Sequence, residues 1–594
     1  MTTRRLTATR HRGRSYTKAD APRKDLGRAV LARHHVGGYE PRTVLRFDRA
    51  SHTLVFSLIA IATTLAYIQS FQGSWISDDV ELIAGNTMIR SLAPANLRAI
   101  ATFFEAGINY VPLTYLSFAF DYQLWGPHPS GFHLSNLVLH VANALVVYFL
   151  LLHMQESSGI AFAASLLWAL HPVQVESVAW ISERKNLLST LFFLLAFHVY
   201  TRFSARPRTR TYALLTVLYV AALVSKVNTI VLPALMLTYE LVIQRRLRPQ
   251  DFFATLPLAT CGAAIAWVNL HGNPSHGVAY HGGSLAVTLR TSSTTIPQYL
   301  LNVVSPFDLS SYYPIPLRAS WLDPSVAMAV AVILTLVSLT CWLAWRHQPE
   351  AFWLAWFGIT LSPMLNLVPF PALMNDRYLY LPLLGALVPL LRLANRLVRR
   401  VGAIHAAPAL TGVTALGLGL LTVARVPVFR NELNLWADMG LRTSYITADQ
   451  PYGAPPRLEQ KRLLTEALAR YPTRAALYNN LGGFAFEENR LAEAVSLLAR
   501  AQALDPTDPV IALNLGRAYL LTGRLDDATR TLELATALEP PSFFPHLNLA
   551  RAHLRRNDLV RARIELTRAK SIKSDPYFWS NVEQQLNRAE NPAS

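Results

Sequence analysis

Residues 133–153 read HLSNLVLHVANALVVYFLLLH and contain no Asp, Glu, Lys or Arg. As a helix rising 1.5 Å per residue the run is about 31 Å long, enough to cross the hydrocarbon of a bilayer. It is not apolar all round. His133, Asn136, His140 and Asn143 recur at offsets of 3, 7 and 10, which 3.6 residues per turn puts on one face. In a membrane that face has to meet protein or water, so the helix belongs to a bundle with a polar interior. The two histidines lie about 10 Å apart along the axis, too far to share one metal ion by themselves. The stripe reads as internal hydrogen bonding, with His133 and His140 lining a cavity.

The rest of the 594-residue chain supports a bundle, because 52% of it is hydrophobic and only 15% charged, too apolar for an ordinary soluble multidomain protein. Runs long enough to span begin at residues 53–71 and continue at 133–153, 160–175, 187–201, 212–224, 229–243, 252–270, 324–345, 352–369, 378–393 and 404–424. The expectation is an all-α polytopic membrane domain over residues 51–424 with about eleven spans. Cys261 and Cys341 fall inside apolar runs, so neither a disulfide framework nor a thiolate metal site is indicated.

The formal net charge is +18, but residues 1–50 hold 13 Lys/Arg against 4 Asp/Glu, which is +9 and half of the excess. That tail lacks an apolar core and reads as a disordered, basic cytoplasmic segment beside acidic lipid headgroups rather than a nucleic-acid-binding region. With the tail inside, the later inner loops RFSARPRTR (202–210), QRRLRPQ (244–250), WRHQ (345–348) and RLANRLVRR (392–400) are all basic, as the positive-inside rule requires. Residues 284–304 then lie along the outer interface, and everything after residue 424 faces the extracytoplasmic side. Compactness and Arg-rich loops favour a bacterial cytoplasmic membrane, with the endoplasmic reticulum as the alternative.

Past a linker at 425–460 the pattern changes. NNLGGFAFEENRLAEAV (479–495), LNLGRAYLLTGRLDDAT (513–529) and LNLARAHLRRNDLVRAR (547–563) repeat every 34 residues. Asn480, Asn514 and Asn548 recur in step, as do Ala494, Ala528 and Ala562, and Pro506 and Pro540 close repeats. The period and its small residues identify a tetratricopeptide-repeat α-solenoid over 461–594. A half-repeat, RLLTEALARYP (462–472), precedes it and DPYFWSNVEQQLNRAE (575–590) caps it.

The first outer loop opens with SWISDDVELIAGN (74–86), where Asp78 and Asp79 follow directly on a spanning run. They are either a topological stop or chemistry. A second outer turn, WALHPVQVESVAWISERKNLL (168–188), brings His171, Glu176, Glu183, Arg184 and Lys185 to the same membrane face, and NDRYLYLP (375–382) adds Arg377 and Tyr378. Lys226 falls near the outer end of its helix. Carboxylates and cations together suit an acceptor that loses a proton and an anionic leaving group. No phosphate-cradling Gly-rich loop is present, and a divalent metal is possible in such a site but not indicated.

SDDVELIAGN (77–86), VPLTYLSFAFDYQLWGPHPSGFHLSNLVLHVANAL (111–145), ALHPVQVESVAWISERKNLLSTLFFLLA (169–196) and MNDRYLYLP (374–382), in the order spans first and repeats last, closely resemble the transmembrane and tetratricopeptide-repeat O-mannosyltransferase-like family. NPS (273–275) followed by PFDLSSYYPIP (306–316) looks like its middle segment. The resemblance implies a GT-C glycosyltransferase fold and inverting transfer of a sugar, expected to be mannose, from a polyprenyl-phosphate carrier to protein hydroxyls. It makes Asp78 the base, with Asp79 its neighbour and Glu176 a further catalytic candidate. Arg184, Lys185, Arg377 and Lys226 are placed to meet the lipid phosphate, and His133, His140, His171 and Tyr378 to line the cavity. The expected partners are membrane lipid, the lipid-linked donor and a protein acceptor held by the repeats, with no nucleic acid and no firm cofactor. The rival readings are a non-enzymatic repeat scaffold anchored by its helices and a lipid-linked polysaccharide polymerase or ligase.

Overall fold

A computed structural model describes residues 49–105, 109–271, 280–403, 406–440, 457–572 and 579–591. The basic tail, the NPS motif and residues 441–456 lie outside them. The described residues are helical apart from turns, loops and one isolated bridge between Glu105 and Asn109.

Helix α1 (Arg49–Tyr67) is followed by a segment holding α2 (Pro94–Thr102) and α3 (Pro112–Trp125), then α4 (Pro129–His153), which contains the opening stretch. α5 (Ser158–Ala169) bends by 52° across His171 into a short turn and α6 (Val175–Ala179), and α7 (Arg184–Ala205) continues from there. α8 (Thr209–Leu223), α9 (Leu232–Val242), α10 (Pro249–His271), α11 (Leu285–Ser293), α12 (Thr295–Val304), α13 (Pro324–Trp345), α14 (Glu350–Leu361), α15 (Leu383–Arg400) and α16 (Ala406–Arg425) complete the bundle.

Among the described residues six helices are long and apolar enough to cross a membrane, seven with the bent pair counted as one span. The other expected spans fall on helices that are short or, in α15, end in four arginines between Arg392 and Arg400. Residues 284–304 form two helices, α11 and α12, split at Thr294.

The bundle is inside-out by the standards of a soluble protein. On α1 and the turn that continues it, Leu54, Leu58, Ile61, Leu65 and Ile68 are exposed, and their spacing of four and three puts them on one stripe turned to hydrocarbon. On α4 the stripe of His133, Asn136, His140 and Asn143 is fully buried while Val138 and Phe149 are exposed. The chain is an integral membrane protein in which polar side chains hold helices together where apolar contact with lipid cannot. Asn143 Nδ2 donates to the Leu187 carbonyl at 3.0 Å and to the Tyr380 hydroxyl at 3.1 Å. Asn136 Nδ2 lies 3.3–3.4 Å from the carbonyls of Val178, Trp180 and Ile181. Both asparagines thus fasten α4 to the irregular backbone around residues 178–187.

In the expected linker, α17 (Glu432–Gly440) packs Leu435 into the bundle core, and Arg425 pairs with Asp438 at 2.6 Å. α18 (Arg457–Arg470) precedes three helical hairpins, α19 (Ala475–Glu487) with α20 (Leu491–Leu504), α21 (Pro509–Leu521) with α22 (Leu525–Leu538), and α23 (Phe543–Arg555) with α24 (Leu559–Ile572), and α25 (Ser580–Glu590) follows. The 34-residue period has a steric origin. A Cβ on Gly482 would lie 2.7 Å from Leu498 Cγ, and one on Gly516 2.6 Å from Leu532 Cγ. Each hairpin closes there on a Leu sixteen residues later, and Ala550 with Leu566 occupies the same pair of positions, both buried.

Candidate functional site

The two adjacent aspartates diverge. Ser77, just before them, holds a left-handed backbone at φ 45°, an uncommon conformation for a residue with a Cβ. It turns Asp78 outward and Asp79 inward. Asp79 is fully buried and accepts from the Ser182 backbone N–H at 2.8 Å and the Ile76 N–H at 3.3 Å. Burial pushes its carboxyl up to about 7, against those two donors. Asp78 stays exposed beside Ser77, whose hydroxyl is 3.4 Å away. The buried carboxylate therefore ties the loop after α1 to residue 182, and the exposed one is left for solvent or substrate.

The short helical turns at residues 172–183 bring carboxylates to a knot of cations. Glu176 accepts from Arg377 Nη1 at 2.5 Å and from its backbone N–H at 2.8 Å. Glu183 stands between three cations: Arg377 Nε at 3.4 Å, Lys185 Nζ at 3.5 Å and Lys226 Nζ at 3.7 Å. Lys185 also meets Glu105 at 2.5 Å, and Lys226 donates to Asn186 Oδ1 at 2.5 Å. Burial holds the Lys226 ammonium down to about 8, with Glu183 pulling the other way. Asp376, beside Arg377, is pushed up to about 7 by burial and accepts from the Tyr313 hydroxyl at 2.6 Å.

A cavity of about 160 Å³ adjoins this knot. Ser77, Trp180, Tyr312, Asn375 and Arg377 form one side of it, and Glu432, Leu435 and Met439 on α17 form another. The Arg377 guanidinium lies 5.3 Å from the Trp180 ring centroid, a cation held by an aromatic face at the cavity wall. Glu432 reaches across to accept from the Ser77 N–H at 2.7 Å, pinning the left-handed turn that presents Asp78. Among the described residues no group of three or more His, Cys, Asp or Glu is arranged to hold a metal ion.

Of the residues singled out by sequence, the structure gathers Glu176, Lys185, Lys226 and Arg377, places Asp78 beside a cavity-wall residue and anchors Asp79 behind it. Others are corrected. Arg184, expected at the phosphate, is buried with only 1% of its side chain exposed and pairs with Asp121 at 2.6 Å. It also donates to Asn136 and the Phe132 carbonyl and lies against the Phe118 ring, so its charge is consumed inside the packing. His140 bonds the Tyr380 hydroxyl and the Ala169 carbonyl, and His171 bonds the Val303 carbonyl and receives the Val173 N–H. His133 is buried over Gly73, where a Cβ would come within 2.5 Å of its Nε2. None of the three histidines lines the cavity. Tyr378 is buried as well and flanks the Arg377 guanidinium, its ring centroid 5.6 Å away. Glu105 and Glu432 have no role in the sequence reading, which names Glu183 only among the charged residues of the 168–188 turn. Glu183 stood in view next to Arg184, whereas Glu105 and Glu432 carry no local signal and reach the site only through the fold.

Residues 485–543 match the family model described as tetratricopeptide repeat. The protein O-mannosyl-transferase Tmtc3 of Drosophila melanogaster is 31% identical over 230 residues, 33% of this chain and 25% of its own length. The human protein O-mannosyl-transferase TMTC1 is 36% identical over 155 residues, 25% of this chain and 18% of its own. The matched stretches thus span about a quarter or less of these relatives. A solved oligosaccharyltransferase of Archaeoglobus fulgidus, tethered with an acceptor peptide, aligns over 69% of this chain and 60% of its own at 14% identity and a TM-score of 0.38.

Proposed function

The chain is a relative of the TMTC-named protein O-mannosyl-transferases, and from that premise we propose that it is a membrane glycosyltransferase passing a sugar, with mannose the first candidate, from a polyprenyl-phosphate carrier to polypeptide hydroxyls on the extracytoplasmic face. The observation that carries the reading is the pairing of an exposed carboxylate, Asp78, with a cavity whose wall holds Arg377.

In the proposed reaction the acceptor hydroxyl oxygen attacks the anomeric carbon as the bond from that carbon to the phosphate oxygen breaks. Asp78 takes the hydroxyl proton, and the polyprenyl phosphate leaves with the bonding electron pair. Attack opposite the leaving group inverts the anomeric centre. Arg377 meets the departing phosphate first, because it faces the cavity, and Lys226 and Lys185 reinforce it from behind Glu183. A cation in a partly desolvated wall stabilises developing negative charge more than it does in water. Glu176 and Glu183 keep these cations oriented before the donor arrives. The polyprenyl tail stays in lipid, so the protein needs only a lateral opening and no nucleotide pocket. The repeats present the polypeptide acceptor, a role supported by their kinship with protein-binding solenoids.

The test is to incubate purified protein with radiolabelled polyprenyl-phosphate mannose and, separately, with labelled nucleotide sugars, following label into polypeptide. Label from the lipid donor that disappears with Asp78→Asn supports the reading. Label arriving only from the nucleotide sugar, with no lipid-linked intermediate, sinks it. Reporter fusions after residues 424 and 594 check the sidedness, and cytoplasmic signal at both would put the site on the wrong face.

A further inference from the structure

The arginines of the repeats differ in what they meet: Arg474, Arg500 and Arg588 are exposed and form no ion pair among the described residues. Arg490, Arg524, Arg530, Arg556, Arg561, Arg563 and Arg568 each pair with a carboxylate of the repeats themselves. Arg517, Arg551 and Arg555, all on first helices of the hairpins, form no ion pair among the described residues. Arg517 and Arg551 are one 34-residue period apart, and Arg555 follows one helical turn later.

These three are held in place by uncharged partners. The Arg517 guanidinium lies 5.2 Å from the Phe486 ring centroid on the preceding first helix. Arg551 Nη1 donates to Asn548 Oδ1 at 3.3 Å, and Arg555 Nη1 donates to the Leu520 carbonyl at 2.7 Å. Arg517 and Arg551 are half-buried, and burial lowers both below the ordinary arginine value, Arg551 further through the charges of Arg517 and Arg555. Only Glu487 acts on Arg517 from the other side. A half-buried cation without a counter-ion loses hydration that nothing in the chain replaces, and here two such cations share one face with the exposed Arg555.

We propose that the face formed by the first helices of the hairpins binds an extended acidic polypeptide segment, whose carboxylates pair with Arg517, Arg551 and Arg555. Packed helices lie roughly 8–10 Å apart, about the length of three residues of extended chain, so carboxylates three positions apart on a peptide match arginines one repeat apart. A guanidinium presents a planar fork to a carboxylate and gains a charge-assisted hydrogen bond from each such meeting. Phe486 beside Arg517 gives an apolar residue between the acids a place to rest. The proposal deepens the reading of this protein as an enzyme acting on polypeptides by naming the chemistry of the acceptor, and it rests on that reading only for the acceptor's fate.

Binding is measurable without transfer. The full chain in neutral-lipid nanodiscs is titrated into fluorescein-labelled peptides bearing Glu at every third position, and into the same peptides with Gln. The Glu peptide is expected to bind at least about tenfold more tightly than the Gln peptide, since a charge-assisted bond is stronger than a neutral one, and to weaken as salt is raised. Arg517→Gln with Arg551→Gln should cost about tenfold, while Arg524→Gln with Arg530→Gln, which removes outer, paired arginines, should leave affinity unchanged. Arg517→Lys keeps the charge and checks that loss is not unfolding, as does an unaltered helical melt by circular dichroism. Equal binding of the Glu and Gln peptides by the unmodified protein overturns the proposal, and so does retention by these arginines of an oligonucleotide or anionic vesicle but not the peptide. Acidic-peptide binding by a protein that transfers no sugar would fault the enzymatic reading and leave this one standing. Transfer with no preference for acidic acceptors and no binding difference would do the reverse.

Discussion

Two buried charge clusters stand at opposite ends of the membrane bundle, and they use the same kinds of residue to different effect. At the end of α4 that holds His153, Arg392 joins Glu156 at 2.6 Å and Glu350 at 2.8 Å, and Arg396 reaches Glu350 at 2.5 Å. These contacts clamp the loop after α4, the start of α14 and the middle of α15 together. At the other end each cation also has one short partner, yet Arg377, Lys185 and Lys226 all turn remaining donors toward a single carboxylate, Glu183, at 3.4–3.7 Å. A cavity opens beside that cluster. Short contacts build a clamp, whereas long ones beside a space leave bonding capacity for an incoming anion.

The largest effect expected is on chemistry alone. Asp78→Asn should lower transfer by about 10²–10⁴-fold with an unchanged melting temperature, because the side chain is exposed and buries nothing. If the variant keeps its activity, the exposed carboxylate next to the cavity-wall Ser77 is not the base.

The comparison of clusters is broken most directly by paired truncations. Arg392→Ala leaves Glu156 and Glu350 buried against each other and should destabilise the detergent-solubilised protein by about 3–5 kcal/mol, with the residual folded fraction retaining its affinity for the lipid donor. Arg377→Ala should raise the donor KM and lower kcat more than it lowers stability. The same stability loss and the same kinetic change in both would erase the distinction between clamp and site.

A smaller effect is expected from Glu432→Gln, which keeps an acceptor for the Ser77 N–H but removes the charge. Turnover should fall by about tenfold, the scale of a weakened charge-assisted bond, and Glu432→Asp should recover part of it. Equal turnover in all three proteins would show that the turn around Ser77 holds without help from α17.

The smallest effect is a slope. Asp79 keeps its proton in the folded protein up to about pH 7 and in an unfolded chain gives it up near the ordinary 3.8. Between those values the folded state binds the extra proton, so this contribution to stability is complete below about pH 3.8, declines as pH rises and is gone above about 7. The melting temperature should therefore drop between pH 5 and pH 8, and Asp79→Asn, neutral throughout, should remove that part of the drop. An identical pH dependence in the variant would mean the buried carboxyl is already ionised in the fold.

The helices and the repeats were legible because each obeys a period that local chemistry enforces. The run at 133–153 announced a bundle through its polar stripe, and the 34-residue repeat reported a Gly or Ala packed against a Leu sixteen positions on. What failed to show was direction. A stripe of His and Asn says only that something polar lies opposite, and backbone carbonyls released at the break after Ala179 answer it as well as a substrate would. Arg184 and Lys185 are neighbours in sequence, yet in the first turn of a helix consecutive side chains point about 100° apart. One closes on Asp121 and the other on Glu105 and Glu183. The split of Asp78 from Asp79 depends on the backbone at Ser77, held by Glu432 from far along the chain, and no window of sequence contains both.

That last contact also sets an order in time. The Ser77–Glu432 bond joins residues 355 positions apart, and the Ser74 N–H donates to the Arg430 carbonyl over nearly the same distance. A ribosome adding about 5–20 residues per second needs roughly 20–70 s to travel from the first partner to the second. Throughout that interval the growing chain carries Asp78 and then Arg377 without the α17 wall beside them. The enclosure is thus completed only after the whole membrane bundle has been made and before the repeats, and a nascent chain truncated before residue 430 holds Asp78 and Arg377 but not the wall that α17 supplies.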